Sequence, residues 1–203
     1  MINKLLYFLL VNIFISICFS TERIVTVGGS ITEIVFSLNQ GHRVIAVDQS
    51  STIPNHVTKL PQVGYIRSIS AEGILSIEPT KILTTSDIGP PNIVDQIKST
   101  NVNLHVYNSP KSFEDIISLV KSIGKDLEVP KEAEELISNM NKSLKGIEKI
   151  VSKRDTNPRI AFFMGMGGAS TLSSFNAAGG GTRADYLIEF IGGKNIFKTS
   201  FKR

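Results

Sequence analysis

The stretch RIVTVGGSITEIVFSLNQGHRVIAV, residues 23–47, contains two short β-branched runs separated by one helical period. The runs RIVTV and RVIAV have the composition of buried strands, and the residues between them repeat apolar side chains at helical spacing. A strand, a helix and a second strand in this order are typical of a βαβ unit with parallel strands. We predict that Ser30 and Glu33 form a capping box at the start of the helix.

The same alternation continues along the chain and predicts an α/β fold. Ser70 is placed to cap a short helix, and further strands are expected at TKILTT, VNLHVY and RIAFFM. A lysine- and glutamate-rich helix of roughly 35 Å is expected over residues 130–153. We therefore predict two Rossmann-like α/β lobes joined by one long helix, with an N-terminal lobe over residues 21–128, a connecting helix over 129–155 and a partial C-terminal lobe over 156–203.

The first twenty residues have the pattern of a secretory leader. Lys4 precedes the apolar run LLYFLLVNIFISICF, which is of signal-peptide length, and cleavage is expected after Ser20. A lipoprotein cleavage site would need a small residue before Cys18, but Ile17 stands there. We expect a cleaved signal peptide over residues 1–20, a soluble periplasmic protein and no transmembrane span in the mature chain.

Composition argues against several other classes of protein. Cys18 is the only cysteine, so the mature chain is expected to have no disulfide and no thiolate metal ligand. The basic residues are spread along the chain, and no nucleic-acid partner is expected. The glycine-rich turns lack phosphate-loop spacing, and His42, His56 and His105 lack metal-ligand spacing. No nucleophile motif is present, so we do not expect an enzyme.

One exposed aromatic stands out in the loop after the second predicted strand. The segment VGYIRSISAEG, residues 63–73, places Tyr65 after a glycine that frees the backbone to present the ring. In an open α/β sheet, loops at the carboxyl ends of the strands surround the ligand crevice. Position alone nevertheless favours a half-buried tyrosine that packs under its loop.

Four segments resemble the periplasmic haem-binding proteins of bacterial haem ABC importers. These segments are RIVTVGGSITEIVFSL, RVIAVDQSSTIP, LPQVGYIRSISAEGILSIEPTKIL and AAGGGTRADYLIEFIGGKNIF, and together they extend from about residue 23 to residue 197. The resemblance implies a carrier, expected to be monomeric, that binds ferric haem b as its transported ligand. The carrier would deliver this haem to an ABC permease and ATPase complex at the inner membrane. It also implies that the C-terminal lobe is truncated here.

The resemblance assigns roles to individual residues around the haem. The tyrosine of the family's GY-x-R motif falls on Tyr65 and would be the axial ligand of the haem iron. Phenolate is a hard anionic donor that suits ferric iron. The arginine of the motif, Arg67, would lie near that ligand or a haem propionate. Met164 or Met166 would approach the iron from the second lobe or pack on the porphyrin face, and packing is the favoured interpretation.

The wider class to which these haem carriers belong also predicts how the protein meets its transporter. One glutamate on each lobe pairs with arginines of the permease, and the matching positions are Glu72 and Glu189. Two alternatives stay open. The same fold would carry a ferric siderophore or cobalamin, and an exported α/β enzyme would use the glycine-rich turns.

Overall fold

The computed structural model describes residues 22–166 and 175–197, and the first of these ranges contains a parallel four-stranded sheet. The strands are β1 (Ile24–Val27), β2 (Val44–Val47), β3 (Lys81–Thr85) and β4 (Asn103–Tyr107). They lie in the order β2-β1-β3-β4, with every neighbouring pair parallel. The predicted α/β fold with a parallel sheet is therefore confirmed.

Helices cover both faces of this sheet. They are α1 (Gly29–Ser37), α2 (Ala71–Leu75), α3 (Ile93–Lys98), α4 (Phe113–Asp126) and α5 (Pro130–Val151), with 3₁₀ turns at Gly41–Arg43 and Asn55–Lys59. Side chains alternate across each strand, so Ile24 packs into the core cluster that contains residues of α1 and α4. Its neighbour Val25 packs into a second cluster that contains residues of α2 and α3.

The long helix α5 packs against α4 over its first half. The Cβ that an alanine would carry at position 124 would lie 2.4 Å from the Cβ of Ala133, so Gly124 allows the two helices to approach closely. Helix α5 has 22 residues, which makes it about 33 Å long. It ends at Val151, close to the end predicted for the connecting helix.

The C-terminal segment, residues 156–166 and 175–197, has two small sheets and one helix. Its elements are β5 (Arg159–Ile160), β6 (Phe163–Met166), β7 (Phe175–Ala177), α6 (Arg183–Phe190) and β8 (Lys194–Asn195). Strands β5 and β8 are parallel, and β6 and β7 are antiparallel. The prediction of one strand over RIAFFM is wrong, because the two halves of that run pair with different partners. The predicted lobe boundaries at residues 128/129 and 155/156 stay predictions.

The predicted capping box at the start of α1 is also wrong. The helix begins one residue before Ser30, its N-cap is Gly28, and no side chain caps it. The N–H of Gly28 instead donates to the carboxylate Oδ1 of Asp48 at 2.8 Å. An acceptor from the turn after β2 therefore replaces the local acceptor expected from Glu33.

Asp48 is fully buried, and donors surround its carboxylate. In addition to the hydrogen bond from the Gly28 amide, Oδ1 of Asp48 accepts a hydrogen bond from the Ser51 hydroxyl at 2.6 Å. Oδ2 accepts from the Ser50 amide at 3.1 Å and from the Ser50 hydroxyl. A buried carboxylate requires such donors, because an unpaired charge in the core is strongly destabilising. Asp48 thus ties the turn after β1 to the turn after β2.

We predict that Asp48→Asn lowers the free energy of unfolding by about 2–4 kcal/mol. The amide group of asparagine would place a donor where the carboxylate now accepts two hydrogen bonds. Urea-induced unfolding followed by circular dichroism measures the change. Asp155→Asn removes an equal charge from an exposed position and is expected to change stability by less than ~0.5 kcal/mol. Equal stability of the two variants would contradict this account of Asp48.

Candidate functional site

The loop that carries Tyr65 is hydrogen-bonded to the carboxyl end of β2. The amide of Val47 donates to the carbonyl of Pro61, and the amide of Val63 donates to the carbonyl of Val47, each at 3.0 Å. The amide of Gln49 donates to the carbonyl of Gly64 at 2.8 Å. These bonds place the residues just before Tyr65 at the sheet edge where ligands bind in open α/β folds.

Alternating burial along this loop explains why Tyr65 faces solvent. Val63, Ile66 and Ile69 are buried in the core cluster beneath the sheet edge. Tyr65 and Arg67, which lie between them, are exposed, and Tyr65 is 45% exposed. The apolar residues anchor the loop, so the tyrosine ring is presented at the surface.

The Tyr65 loop also contacts the turns after β1 and β3. The amide of Gly89 donates to the carbonyl of Ile66 at 2.9 Å, and the amide of Ile69 donates to the carbonyl of Gly89 at 3.1 Å. A Cβ at Gly28 would lie 3.3 Å from Cδ1 of Ile66. The loops that follow three neighbouring strands therefore meet around the segment that holds Tyr65.

The three described tyrosines differ in what their hydroxyl groups do. The Tyr107 hydroxyl donates to Asp126 at 2.7 Å, and burial together with this hydrogen bond raises the Tyr107 pKa well above its usual value. The Tyr186 hydroxyl donates to Glu114 at 3.1 Å, and desolvation and this bond raise the Tyr186 pKa. The Tyr65 hydroxyl forms no hydrogen bond with the residues that the structure describes. Tyr65 is therefore the described tyrosine that is open to an external ligand.

A cluster of charges that the sequence did not reveal lies at the same sheet edge. Asp87, in the loop after β3, accepts hydrogen bonds from the hydroxyl of Ser109 and, at 3.0 Å, from Nη2 of Arg183. The Ser109 hydrogen bond lowers the pKa of Asp87, and the positive charges of Arg183 and Arg67 contribute in the same direction. Arg67 and Arg183 thus act on one carboxylate, although they lie far apart in the sequence.

The other predicted site residues have the following places. Glu72 lies in the first turn of α2 and Glu189 near the end of α6, and both are exposed. Met164 and Met166 belong to β6, and the haem-supporting role predicted for them falls outside the described side chains. The predicted signal peptide also lies outside the described residues.

Neither a metal cluster nor a membrane span is found within residues 22–166 and 175–197. No group of three or more histidine, cysteine, aspartate or glutamate side chains is arranged to hold a metal ion there. Over the same residues, no helix has both the length and the apolar character needed to cross a bilayer.

Comparison with known proteins gives the family. A family model described as periplasmic binding protein matches residues 24–203. The chain belongs to the periplasmic binding protein family. Family members of the two-lobe type have the α/β architecture described above, and the chain corresponds to part of that fold.

Two solved structures illustrate the similarity. The periplasmic heme-binding protein RhuT from Roseiflexus sp. RS-1, in its apo form, superimposes with a TM-score of 0.76 at 33% identity, over 86% of this chain and 65% of that one. The periplasmic heme-binding protein HutB of Vibrio cholerae gives a TM-score of 0.74 at 29% identity, over 87% of this chain and 66% of that one. The predicted resemblance to the haem-binding members of this family is confirmed.

Curated relatives include other members of the class. The uncharacterized ABC transporter substrate-binding lipoprotein YvrC of Bacillus subtilis is 28% identical over 65% of this chain and 43% of its own length. The vitamin B12-binding protein of Vibrio parahaemolyticus is 21% identical over 87% of this chain and 61% of its own length. The chain thus spans less than two thirds of these relatives. They are substrate-binding proteins and not enzymes, as predicted for this periplasmic binding protein.

The conformation of Gly64 yields a test of how Tyr65 is presented. Gly64 has φ of +105°, and the nearest atom to an added Cβ is 3.9 Å away, so alanine fits sterically but requires a strained backbone. We predict that Gly64→Ala lowers the free energy of unfolding by about 1–2 kcal/mol.

Gly146 is the matched control for this substitution. It lies inside α5, and an added Cβ would meet nothing within 4 Å. Gly146→Ala should therefore raise stability by about 0.5–1 kcal/mol, since alanine is the better helix former. Thermal unfolding of the two variants measures both effects. If they shift stability in the same direction, the turn at Gly64 does not depend on its left-handed backbone.

Proposed function

We propose that this chain is the ligand-binding component of a haem importer, which binds ferric haem through Tyr65 and delivers it to an ABC permease and ATPase complex. The exposure of Tyr65 supports this role. The Tyr65 ring lies at the carboxyl edge of a parallel sheet, and its hydroxyl forms no hydrogen bond with the described residues. The similarity to two heme-binding proteins supports the same ligand. The predicted leader and the family favour the periplasm as the place of action.

Iron chemistry gives the tyrosine a specific role. Ferric iron is a hard cation, and a phenolate oxygen is among the established axial ligands of haem iron. A phenol that coordinates a cation loses its proton readily, because the positive charge stabilises the phenolate. An anionic oxygen ligand also favours the ferric over the ferrous state, which suits a carrier that does no redox chemistry on its ligand. Arg67, two residues further on and also exposed, supplies positive charge for the phenolate or a haem propionate.

Cobalamin is the principal alternative ligand, because a curated relative at 21% identity is named a vitamin B12-binding protein. The corrin of cobalamin already carries its own cobalt ligands and has amide side chains where haem has carboxylates. A free phenol and an arginine are less useful for such a ligand than for ferric haem. A ferric siderophore, which occupies its iron with its own oxygen donors, gains equally little from a protein phenolate.

A titration with haemin tests the proposal. Purified protein is expected to bind haemin and to show the visible charge-transfer band of a ferric phenolate complex. Tyr65→Phe should abolish that band and weaken binding by about tenfold or more, because the iron loses its anionic ligand. Parallel titrations with cyanocobalamin should show no binding of comparable strength.

Two matched controls remove the other described phenols. Tyr107→Phe and Tyr186→Phe delete hydroxyl groups that donate to Asp126 and Glu114, so each is expected to leave the haem spectrum unchanged. An unchanged spectrum in Tyr65→Phe, or tighter binding of cyanocobalamin than of haemin, would contradict the assignment.

Two exposed glutamates are proposed to dock the carrier on its permease. Glu72 and Glu189 lie on short helices, one in the first part of the chain and one in the C-terminal segment, and both face solvent. Exposed ion pairs contribute little energy individually but strongly affect orientation and association rate. The pair is therefore suited to guide docking on permease arginines without dominating affinity.

Transport in proteoliposomes with the cognate ABC complex tests this role. The double variant Glu72→Ala/Glu189→Ala should reduce haem uptake about 3- to 10-fold, most strongly at low salt, while haemin binding to the isolated protein is unchanged. Glu134→Ala, which removes an exposed carboxylate from α5, is the control. Normal uptake by the double variant would exclude the docking role.

A further inference from the structure

Arg183 joins the C-terminal segment to the loop after β3 at the edge that carries Tyr65. Its Nη2 lies 3.0 Å from Oδ2 of Asp87 and also contacts the hydroxyl of Ser109, which itself donates to Asp87. The two loops after β3 and β4 supply Asp87 and Ser109, while α6 supplies Arg183. Three separate parts of the chain thus meet at one carboxylate oxygen.

This cluster adjoins the proposed ligand site through backbone hydrogen bonds. Asp87 precedes Gly89 by two residues, and Gly89 exchanges hydrogen bonds with Ile66 and Ile69 of the Tyr65 loop. The carbonyl of Arg67 would lie 3.0 Å from a Cβ at Gly89, so the two loops are in direct contact. A ligand that is held by Tyr65 and extends along the sheet edge would therefore approach the cluster.

The helix that carries Arg183 is held by contacts that do not involve Asp87. The Thr182 hydroxyl accepts from the amide of Asp185 and caps α6. One turn further on, the Tyr186 hydroxyl accepts from the amide of Phe113, and the two rings pack edge to face at 5.6 Å. Helix α6 would keep its place if the carboxylate of Asp87 changed partners. The helix thus fixes the backbone of Arg183, and the guanidinium stays free to change partners.

The chemistry of the cluster suits an anion from outside the protein. The side chains of Arg183 and Asp87 are 57% and 37% exposed. Exposed ion pairs of this kind contribute little stability, so a competing anion can replace Asp87 at a small cost in free energy. Within the described residues, Nη2 is the only nitrogen of the Arg183 guanidinium that donates a hydrogen bond. A guanidinium has five N–H donors, so the remaining donors are available to a ligand. Arginine binds carboxylates well because several of these donors can act together. The negative charge of Asp87 opposes such binding.

We propose that Arg183 binds a carboxylate of the ligand, and that Asp87 is the built-in counter-ion that limits the strength of this contact. The inference rests on the proposed haem-binding function and deepens it, since it requires a metalloporphyrin with free carboxylates. Arg183 is then a specificity-determining residue that distinguishes haem from porphyrins with neutral side chains. Asp87 tunes affinity so that the ligand is released to its next partner.

The test compares two ferric porphyrins that differ only in their carboxylates. Haemin and haemin dimethyl ester are titrated into the full chain, in the same buffer and co-solvent, for the wild type and three variants. Arg183→Gln should weaken haemin binding about 3- to 10-fold and change ester binding less than about twofold. Asp87→Asn keeps an acceptor for Ser109 but removes the competing charge, and should strengthen haemin binding about 2- to 5-fold without affecting the ester.

Lys98→Gln is the control for net charge. Lys98 is exposed in the last turn of α3, which runs back toward the amino edge of the sheet, so its loss should affect neither porphyrin. Equal weakening of haemin and ester in Arg183→Gln would overturn the proposal in favour of a structural role for Arg183. No effect of Arg183→Gln on either porphyrin would overturn it as well. If the wild type binds neither porphyrin, the proposed function fails, and this inference fails with it.

Discussion

The buried carboxylate of Asp48 organises the sheet edge on which the candidate site depends. It accepts the amide of Gly28 from the turn after β1 and three donors from Ser50 and Ser51 in the turn after β2. A fully buried charge is tolerated only when its lone pairs are filled, so the turns are constrained together. Gly28 in turn lies against Ile66 of the Tyr65 loop. The position of Tyr65 therefore depends on an acid that is itself fully buried.

Local patterns predicted the parts of the fold that depend on local interactions. The strands β1 to β4 were recognisable as short β-branched runs, and the Ser70 side chain accepts from the amide of Gly73 as a helix cap should. The cap predicted for α1 failed because its acceptor, Asp48, lies 20 residues away from Gly28. Nothing in the intervening sequence distinguishes that aspartate from an exposed one. Only the folded arrangement of two strands brings the pair together.

Strand pairing was the second feature that local sequence patterns could not predict. RIAFFM is continuously apolar after its first residue, yet β5 pairs in parallel with β8 and β6 pairs antiparallel with β7. A strand is completed by its partner, and the partners here lie on opposite sides of α6 in the sequence. The position of Tyr65 was predictable for the opposite reason, because it needs no knowledge of the partners: the loop after any parallel strand opens onto the carboxyl edge of the sheet.

The candidate site combines two kinds of support with different physical properties. Tyr65 is presented by backbone hydrogen bonds and buried apolar neighbours within one loop, and these interactions are insensitive to salt. Arg183 reaches Asp87 across 96 residues through an exposed ion pair, and salt screens such charges over a Debye length of about 8 Å at physiological ionic strength. The tyrosine side of the site is therefore preorganised, whereas the charged side can exchange partners. A carrier needs both properties, because it must recognise its ligand selectively and then release it.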